Sequence, residues 1–408
     1  MLPEKPPPIR FIGLDIHKHY LIAIGVDADL NPVLGPQRVQ LVNLEGWIRK
    51  RLTPSDAVVI EMTTNTWQVY DELEPYVHSV TVVHPPHVAL ITRSQVMTDK
   101  IAASHLARLH AKGLLVGVWV PPQEVRERRA LTAQRRKMSR LATQAKNRLH
   151  SVLHRHHLLP PEGKLFSPDN RGWWLFLPIS PLEKALLQTD LDTLDFAQSQ
   201  IASLEQVLLT LAAQDERIPL LIQMPGISLI NAMTILGAIG DITRFPEAKK
   251  LVGYAGLGAR VHDSGLTTRS GKITKSGRRD LRAAMVEAAQ TAANTHPHWK
   301  AELARLEPRL GRNKAIVAIA RKLLIAVWHV LTFQVADRFA IPEQVANKLK
   351  NYSDRLRLER RSPGQSTADY VRTQLDRLGL GVQVTQLYRG KLKSPLRLPA
   401  STLRPAGD

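Results

Sequence analysis

The stretch IRFIGLDIH, residues 9–17, is a short run of apolar, β-favouring residues that contains one carboxylate, Asp15. Such a run predicts a β-strand. A carboxylate inside an apolar strand is expensive to bury without a metal ion or a partner. We therefore interpret Asp15 as a candidate metal ligand; the alternative is an ordinary polar residue that borders its strand.

The segments that follow predict a mixed α/β domain. YLIAIGVDA and QRVQLVN, separated by a turn, predict two more strands, and LEGWIRKRL predicts a helix. DAVVIEM predicts a fourth strand buried on both faces and ending in Glu61. A helix from about Thr66 to Leu73, a strand in HSVTVVH and a helix starting near Asp99 complete the order β-β-β-α-β-α-β-α. This order is the ribonuclease H-like pattern, although actin-like ATPases begin in the same way.

Three carboxylates are predicted to meet in this domain. In a ribonuclease H-like sheet the first and fourth strands are neighbours, so Asp15 and Glu61 would project at one end of the sheet. Asp99, at the start of a helix packed on that sheet, would be the third. Mg²⁺ prefers oxygen ligands, and enzymes that cut phosphodiester bonds with metal ions hold those ions with clustered carboxylates. The prediction is a Mg²⁺ site.

Composition points to a polyanionic partner. The 408 residues, 44% of them hydrophobic, can form two main domains and a tail. Lys and Arg number 56 against 36 Asp and Glu, a net charge of +20, which favours a nucleic-acid partner over a membrane. The chain has no cysteine, which excludes disulfides and thiolate metal sites. We expect that no apolar run approaches the ~20 residues that span a bilayer, that no signal peptide is present, and that the protein is soluble and cytoplasmic.

Residues 121–157 predict one long basic helix with a single apolar stripe. Ten Lys or Arg stand against two Glu from Glu124 to His157. This surface favours phosphate contact, or coiled-coil packing with a basic exterior, over a merely solvated face. The candidate nucleic-acid contacts here are Arg129, Arg136, Arg140, Lys146 and Arg148.

Two glycine-containing segments follow. LIQMPGISLINAMTILGAIG is similar to a helix-hairpin-helix element with Ser228 as N-cap, in which the turn at Gly226 would present backbone N–H groups to a phosphate. A helix pair used only for packing would look much the same. The stretch from Arg260 to Arg282 then interleaves seven Lys or Arg with glycine and hydroxyl residues. Its candidate nucleic-acid contacts are Arg269, Lys272, Lys275, Arg278 and Arg279.

A serine in that basic stretch could attack phosphorus. Serine is a poor nucleophile and needs a cationic or metal-rich pocket, or a base. Composition alone leaves Ser264, Ser270 and Ser276 open, and turn chemistry is the simpler role for each of them.

Several of these segments, in order, resemble the IS110-type transposases, including the IS1111 branch, over about residues 10–335. The segments are FIGLDIHK, VVIEMT, TDKIAASHLARL, AKNRLHSVL, PGISLINAMTILGAIGDITRF, LVGYAGLGARVHDSGLTTRSGKITKSGRRDLRAAMVEAA and NKAIVAIARKLL.

The resemblance implies a two-domain recombinase. Such a recombinase would have a RuvC-like ribonuclease H-fold domain with an Asp-Glu-Asp-Asp set that binds Mg²⁺. It would also have a mostly helical transposase domain that contributes a serine bonded covalently to DNA. A structured guide RNA would pair with donor and target DNA in an oligomer, a dimer or tetramer. By position, Asp15, Glu61 and Asp99 match the first three acids, and Ser264 matches the serine.

The fourth acid is missing. The family pattern Thr-Asp-x-x-Asp-Ala places a second aspartate one helical turn after Asp99, where this chain has Ala102. This leaves open a three-acid enzyme completed by water or a DNA phosphate, a residue replaced to trap an inactive complex, and a dead copy that only binds nucleic acid. A junction-resolving nuclease that needs no serine is a further alternative.

These observations give four predicted regions. They are an α/β RuvC-like domain over 1–120, a basic helical or coiled-coil region over 121–215, a helical transposase domain with the helix-hairpin-helix-like element over 216–340, and a loosely ordered tail over 341–408.

Overall fold

The computed structural model describes residues 7–86, 88, 98–264, 267–356, 366–388 and 395–403. For residues 261–264, 267–270 and 388 it describes the backbone alone. The chain divides into two compact units between Pro121 and Pro122.

The first unit is built on a five-stranded mixed sheet in the order β3-β2-β1-β4-β5. Strands β1, β2 and β3 pair antiparallel, whereas β4 is parallel to both β1 and β5. The predicted order of strands and helices is confirmed. The elements are β1 (Arg10–Ile16), β2 (Tyr20–Val26), β3 (Pro32–Gln40), α1 (Leu44–Arg51), β4 (Asp56–Glu61), α2 (Thr66–Leu73), β5 (Ser79–Val83) and α3 (Asp99–Ala111).

The centre of the sheet is apolar because β1 and β4 are covered. All residues of β4 except Glu61 are buried, as its continuous apolar run predicted. Helix α3 lies directly on β1 at Gly13, where an added Cβ would stand 2.1 Å from the Ala103 carbonyl oxygen. The missing side chain therefore lets the helix that carries Asp99 approach the strand that carries Asp15.

Two long helices open the second unit. Helix α4 (Gln123–Arg155) confirms the predicted basic helix, and it packs against α6 (Pro181–Ala213), also of 33 residues. Their shared core contains Ala145, Leu149 and Leu191. Acids of α6 neutralise part of the basic surface, since Arg135 pairs with Glu205 at 2.6 Å and Arg148 with Asp190 at 2.5 Å.

The rest of the second unit is mostly helical and shares one large core. A β-hairpin of β6 and β7, which the sequence analysis did not predict, interrupts the helices. The elements are α5 (Arg171–Leu175), α7 (Arg217–Ile222), α8 (Leu229–Ile239), α9 (Ala248–Tyr254), β6 (Ala259–Ser264), β7 (Thr267–Ile273), α10 (Arg279–Thr295), α11 (Pro297–Leu310), α12 (Arg312–Phe333), α13 (Pro342–Leu356), α14 (Thr367–Arg377), β8 (Gln386–Tyr388) and β9 (Pro395–Arg397).

Helix α12 corrects the expectation that no apolar run approaches the length of a membrane span. Among the described residues it is the one helix that is long and apolar enough to cross a membrane. Its most apolar 18-residue stretch has a mean hydropathy of 1.8. One face of the helix is buried, with Ile319, Leu323 and Leu324 fully inside the core of the second unit. Core packing accounts for its apolar character.

The expectation of a loosely ordered tail is wrong for the described residues beyond 341. Helices α13 and α14 bury Val345, Leu349, Val371 and Leu375 in the same core as α12. Ser366 begins α14 with a capping box to Asp369. Charges such as Glu343, Asp354 and Arg355 lie on the outer faces of amphipathic helices, whereas Arg372 is buried and donates to backbone carbonyls. A count of charged residues does not distinguish this arrangement from disorder.

Candidate metal centre and nucleic-acid interface

Asp15 and Glu61 lie on neighbouring parallel strands near the same end of the sheet. Leu14 of β1 is in register with Ile60 of β4, and each acid is the next residue of its strand. Burial raises the pKa of Glu61, and the negative charge of Asp15 raises it further. The two carboxylates therefore interact, as the topology predicted.

Asp99 is the first residue of α3, and its carboxylate joins Asp15. Thr98 caps the helix by accepting a hydrogen bond from the Ile101 N–H at 3.3 Å. One ligand atom each from Asp15, Asp99 and His17 lies within 4.8 Å of the others. This group has the composition of a divalent-metal site.

His17 and Tyr20 are site residues that the sequence analysis missed. The His17 Nε2 atom lies 3.1 Å from Asp15 Oδ2 and 3.2 Å from Asp99 Oδ2. The Tyr20 hydroxyl donates to Asp99 Oδ2 at 2.9 Å, and its ring stacks on His17 with centroids 4.7 Å apart. The sequence does contain a signal for His17. It lies two residues after Asp15, and residues two apart in an extended strand point to the same face.

The electrostatics of the group fit a cation. Burial raises the pKa of Asp15, His17 lowers it in part, and the charge of Asp99 raises it again. Asp15 and Glu61 are half-buried and have raised pKa values, so their surroundings disfavour their negative charge. A bound divalent ion would remove this cost, so the residues present fit a metal centre.

Ala102 occupies the position that lacks an acid. It is half-buried in α3, and its N–H donates to the Thr98 carbonyl at 2.8 Å in the first turn. Residues three apart on a helix lie on the same face, so Ala102 is a direct neighbour of Asp99 along the helix. Its methyl group supplies no ligand atom.

Ser264 is the last residue of β6 and is paired with Thr267 of β7. Ser270 pairs with Val261 in the same hairpin, and the structure describes only the backbone of these residues. Ser276 is exposed in the connection from β7 to α10. The choice among the three serines therefore rests on the resemblance.

A cationic cleft of about 750 Å³ brings together two of the predicted basic stretches. Arg136 and Arg140 of α4 line it, together with Lys137 from the same helix, and Arg278 and Arg279 line it from the start of α10. One acid, Asp280, pairs with Arg278, and its carbonyl accepts from Arg136 at 3.3 Å. The excess of positive charge in a concave site suits a phosphate backbone.

Comparison with known proteins identifies the family. A transposase model for the DEDD proteins of IS110 matches residues 12–158, and the model "Transposase IS116/IS110/IS902 family" matches residues 218–304. The chain belongs to the IS110 family of transposases. The "Transposase for insertion sequence element IS1111A" of Coxiella burnetii is 23% identical over 81% of this chain and 92% of its own. The "Pilin gene-inverting protein" of Moraxella bovis is 27% identical over 79% of this chain and 95% of its own.

The two matched segments of this IS110 transposase contain the candidate residues. The first includes Asp15, Glu61 and Asp99, and the second includes Ser264 and the cleft residues of α10. An IS110 transposase acts on DNA, so a basic cleft in its second unit agrees with the family.

Two of the predicted nucleic-acid contacts have structural roles in the IS110 transposase. The Arg129 guanidinium donates to the Gly237 and Ala238 carbonyls, at 2.7 and 3.0 Å, where α8 ends. Gly226 has φ +76° and lies against α10, where an added Cβ would stand 1.9 Å from the Ala288 carbonyl oxygen. A helix cap and close packing explain these two residues without nucleic acid.

The remaining predicted contacts differ in their surroundings. Lys146 lies over the Phe166 ring, with Nζ 5.2 Å from its centroid, while Arg148 pairs with Asp190. Lys272 and Lys275 are exposed and border a second cleft, of about 630 Å³, against α12. The side chain of Arg269 lies outside the described part of the chain.

Proposed function

We propose that this IS110 transposase is a Mg²⁺-dependent DNA recombinase whose first unit has a ribonuclease H-like, RuvC-like fold. The strand order with an antiparallel β1-β2-β3 meander and parallel β4 and β5 supports the fold. The observation that carries the function is the match of two transposase models, over residues 12–158 and 218–304.

The carboxylates of Asp15, Glu61 and Asp99 would hold the metal. Mg²⁺ bound there would supply positive charge to the scissile phosphate as a Lewis acid. Tyr20 contributes by donating to Asp99 Oδ2, which fixes the orientation of that carboxylate.

Ser264 would be the covalent nucleophile. Its hydroxyl oxygen would bond to phosphorus and lose its proton while a deoxyribose hydroxyl leaves the DNA; attack by a hydroxyl of another strand would reverse the bond and join the strands. The name of the Moraxella relative refers to inversion of a pilin gene. Inversion requires strands to be both broken and rejoined, which supports a recombinase rather than a simple nuclease.

Nucleic acid would lie in the cationic cleft of the second unit. We propose that DNA, both element ends and target, and a structured guide RNA share the basic surfaces of α4 and of the segment from Arg260 to Arg282, with the turn between α7 and α8 as a helix-hairpin-helix-like element. Strand exchange between two sites requires several subunits, which favours a dimer or tetramer. Its substrate places the enzyme in the bacterial cytosol, with the nucleoid.

A second candidate is a nucleic-acid-binding relative without catalysis. Ala102 favours it, because one carboxylate fewer weakens metal binding without disturbing the helix. This candidate predicts Mg²⁺-independent binding and no covalent adduct with DNA.

The test is a denaturing gel of the protein, with its co-purified RNA, incubated with labelled element-end DNA and Mg²⁺. Ser264→Ala, Ser276→Ala and Ala102→Asp are compared with the parent. A denaturation-resistant shifted band that is lost in Ser264→Ala and kept in Ser276→Ala establishes the serine recombinase.

The other outcomes separate the alternatives. An adduct formed only by Ala102→Asp identifies the parent chain as an inactive form of the same enzyme. Cut DNA without an adduct, unaffected by Ser264→Ala, identifies direct hydrolysis by a nuclease. Bound but intact DNA in every variant identifies the binding protein.

A further inference from the structure

His17 lies where the acidic group needs another ligand. Its Nε2 atom is within 3.2 Å of one oxygen each of Asp15 and Asp99. We propose that His17 is a metal ligand that compensates for the missing fourth carboxylate, so that this site favours Mn²⁺ over Mg²⁺ more than an all-carboxylate site does. The inference rests on the metal centre proposed above and concerns its ligand set.

The distances suit two ligands of one ion. Ligands at about 2.1 Å from an octahedral ion and at right angles to each other are about 3.0 Å apart. His17 Nε2 is 3.1 Å from Asp15 Oδ2 and 3.2 Å from Asp99 Oδ2. The His17 nitrogen therefore already lies at the separation that two neighbouring ligands of one ion have, and all three ligand atoms lie within 4.8 Å of one another.

The imidazole ring is held in this orientation. It stacks on Tyr20 with an interplanar angle of 24°, and the Arg38 guanidinium covers the Tyr20 ring at 3.9 Å from its centroid. The Tyr20 hydroxyl meanwhile donates to the same Asp99 oxygen that His17 approaches. A side chain whose rotamer is fixed by its neighbours loses little freedom on binding a metal.

The chemistry of the ligand set follows from Ala102. The methyl group leaves the face of α3 beside Asp99 without a donor, and His17 supplies one from the strand side instead. Replacing an anionic oxygen by a neutral nitrogen weakens the attraction for Mg²⁺, which prefers oxygen. Imidazole suits transition metals, and Mn²⁺ accepts both nitrogen and carboxylate ligands.

The experiment uses Mn²⁺ as the probe on nucleic-acid-free full-length protein. Electron spin echo envelope modulation of the bound ion detects a directly coordinated nitrogen. The protein is prepared unlabelled and with ¹⁵N-histidine, which shifts the modulation without any mutation. His17→Phe removes the ligand but keeps a ring to stack on Tyr20, His19→Phe changes an exposed histidine two residues away, and Asp15→Asn shows which Mn²⁺ is bound at this site.

We expect an Asp15-dependent Mn²⁺ signal with histidine nitrogen modulation that disappears in His17→Phe and remains in His19→Phe. Competition with Mg²⁺ should show Mn²⁺ affinity falling by about tenfold in His17→Phe, with a smaller change for Mg²⁺.

Two results overturn the inference, and they differ in what else they overturn. Asp15-dependent Mn²⁺ without nitrogen modulation, or with modulation that survives in His17→Phe, removes His17 from the ligands and leaves the carboxylate metal site in place. The absence of any Asp15-dependent Mn²⁺ binding overturns both the ligand and the proposed metal site.

Discussion

At the scale of single residues, Gly226 and Lys348 stabilise the same turn. Gly226 makes the connection between α7 and α8 possible because its φ of +76° and its contact with the Ala288 carbonyl exclude a side chain. Lys348 of α13 donates to the Met224 carbonyl at 2.5 Å and so ties the turn to the C-terminal helices. The turn was predicted as a phosphate contact, and its described contacts are internal.

Gly226→Ala is expected to destabilise the protein by about 2–4 kcal/mol, since it combines a left-handed backbone with a steric clash. The control is Gly253→Ala in α9, where an added Cβ meets nothing within 4 Å. That change should stabilise the helix by about 0.5–1 kcal/mol. Urea unfolding measures both, and equal effects would contradict the packing argument.

Lys348 predicts a pH-dependent stability. Burial lowers the pKa of Lys348 to about 8, below its ordinary value of 10.5. Between these values the unfolded chain keeps the proton that the folded chain has lost, so the free energy of unfolding from this group rises with pH. Below about pH 8 both states are protonated and the cost of burying the charge is present in full.

The contribution is expected to reach about 1–2 kcal/mol near pH 10, after allowance for the partial exposure of the side chain. Lys348→Met should lack this rise, and Lys300→Met, at an exposed position of α11, is the control for removing one lysine. Urea midpoints from about pH 7 to 10 test it; parallel profiles for Lys348→Met and the parent would refute it.

At the scale of elements, α4 combines two roles along its length. Its apolar stripe packs on α6, while its cations divide between pairs with acids, a cap on the end of α8 and the cleft shared with α10. The long basic helix therefore both packs against α6 and forms one wall of the cationic cleft.

Arg140→Gln is expected to weaken binding of element-end DNA and to reduce the slope of log affinity against log salt by about 0.9 if Arg140 contacts a phosphate. Arg140 is exposed in the cleft wall. Lys300→Gln removes the same charge from α11, away from the residues that line this cleft, and should leave the slope unchanged. Fluorescence anisotropy over a salt series measures this; equal slopes for Arg140→Gln and the parent would exclude a phosphate contact.

At the scale of the molecule, each unit has its own core, and the chain beyond residue 341 belongs to the second. Residues of α13 and α14 join those of α7 through α12 in one cluster. The second unit is consequently larger than the family match over residues 218–304.

Leu349→Ala should therefore destabilise the protein by about 2–4 kcal/mol, because Leu349 is fully buried. Asn347→Ala, on the exposed side of the same helix, should change stability by no more than about 0.5 kcal/mol. Thermal unfolding of the two variants provides the comparison. If Leu349→Ala left the unfolding temperature unchanged, residues beyond 341 would add nothing to the stability of the core.

The order of elements in the first unit and the proximity of Asp15 to Asp99 could be predicted from the sequence alone. The spacing of apolar residues is a local property of the sequence and predicts the strands and helices. The adjacency of the first and fourth strands follows from the ribonuclease H-like order of elements. The position of Ser228 at the start of α8 was predictable for the same reason, since it caps the helix by accepting from the Asn231 N–H at 3.2 Å.

The contacts between polar groups of different elements depend on the packing of the folded chain and could not be read from the sequence. The stack of Tyr20 on His17, the use of Arg129 to cap α8, and the meeting of Arg140 with Arg279 in one cleft join residues from different elements. The ordering of α13 and α14 likewise depends on apolar partners far away in sequence. The local spacing of apolar residues shows which face of a helix or strand will be buried. Which other element covers that face, and which side chains therefore become its neighbours, depends on the packing of the whole chain.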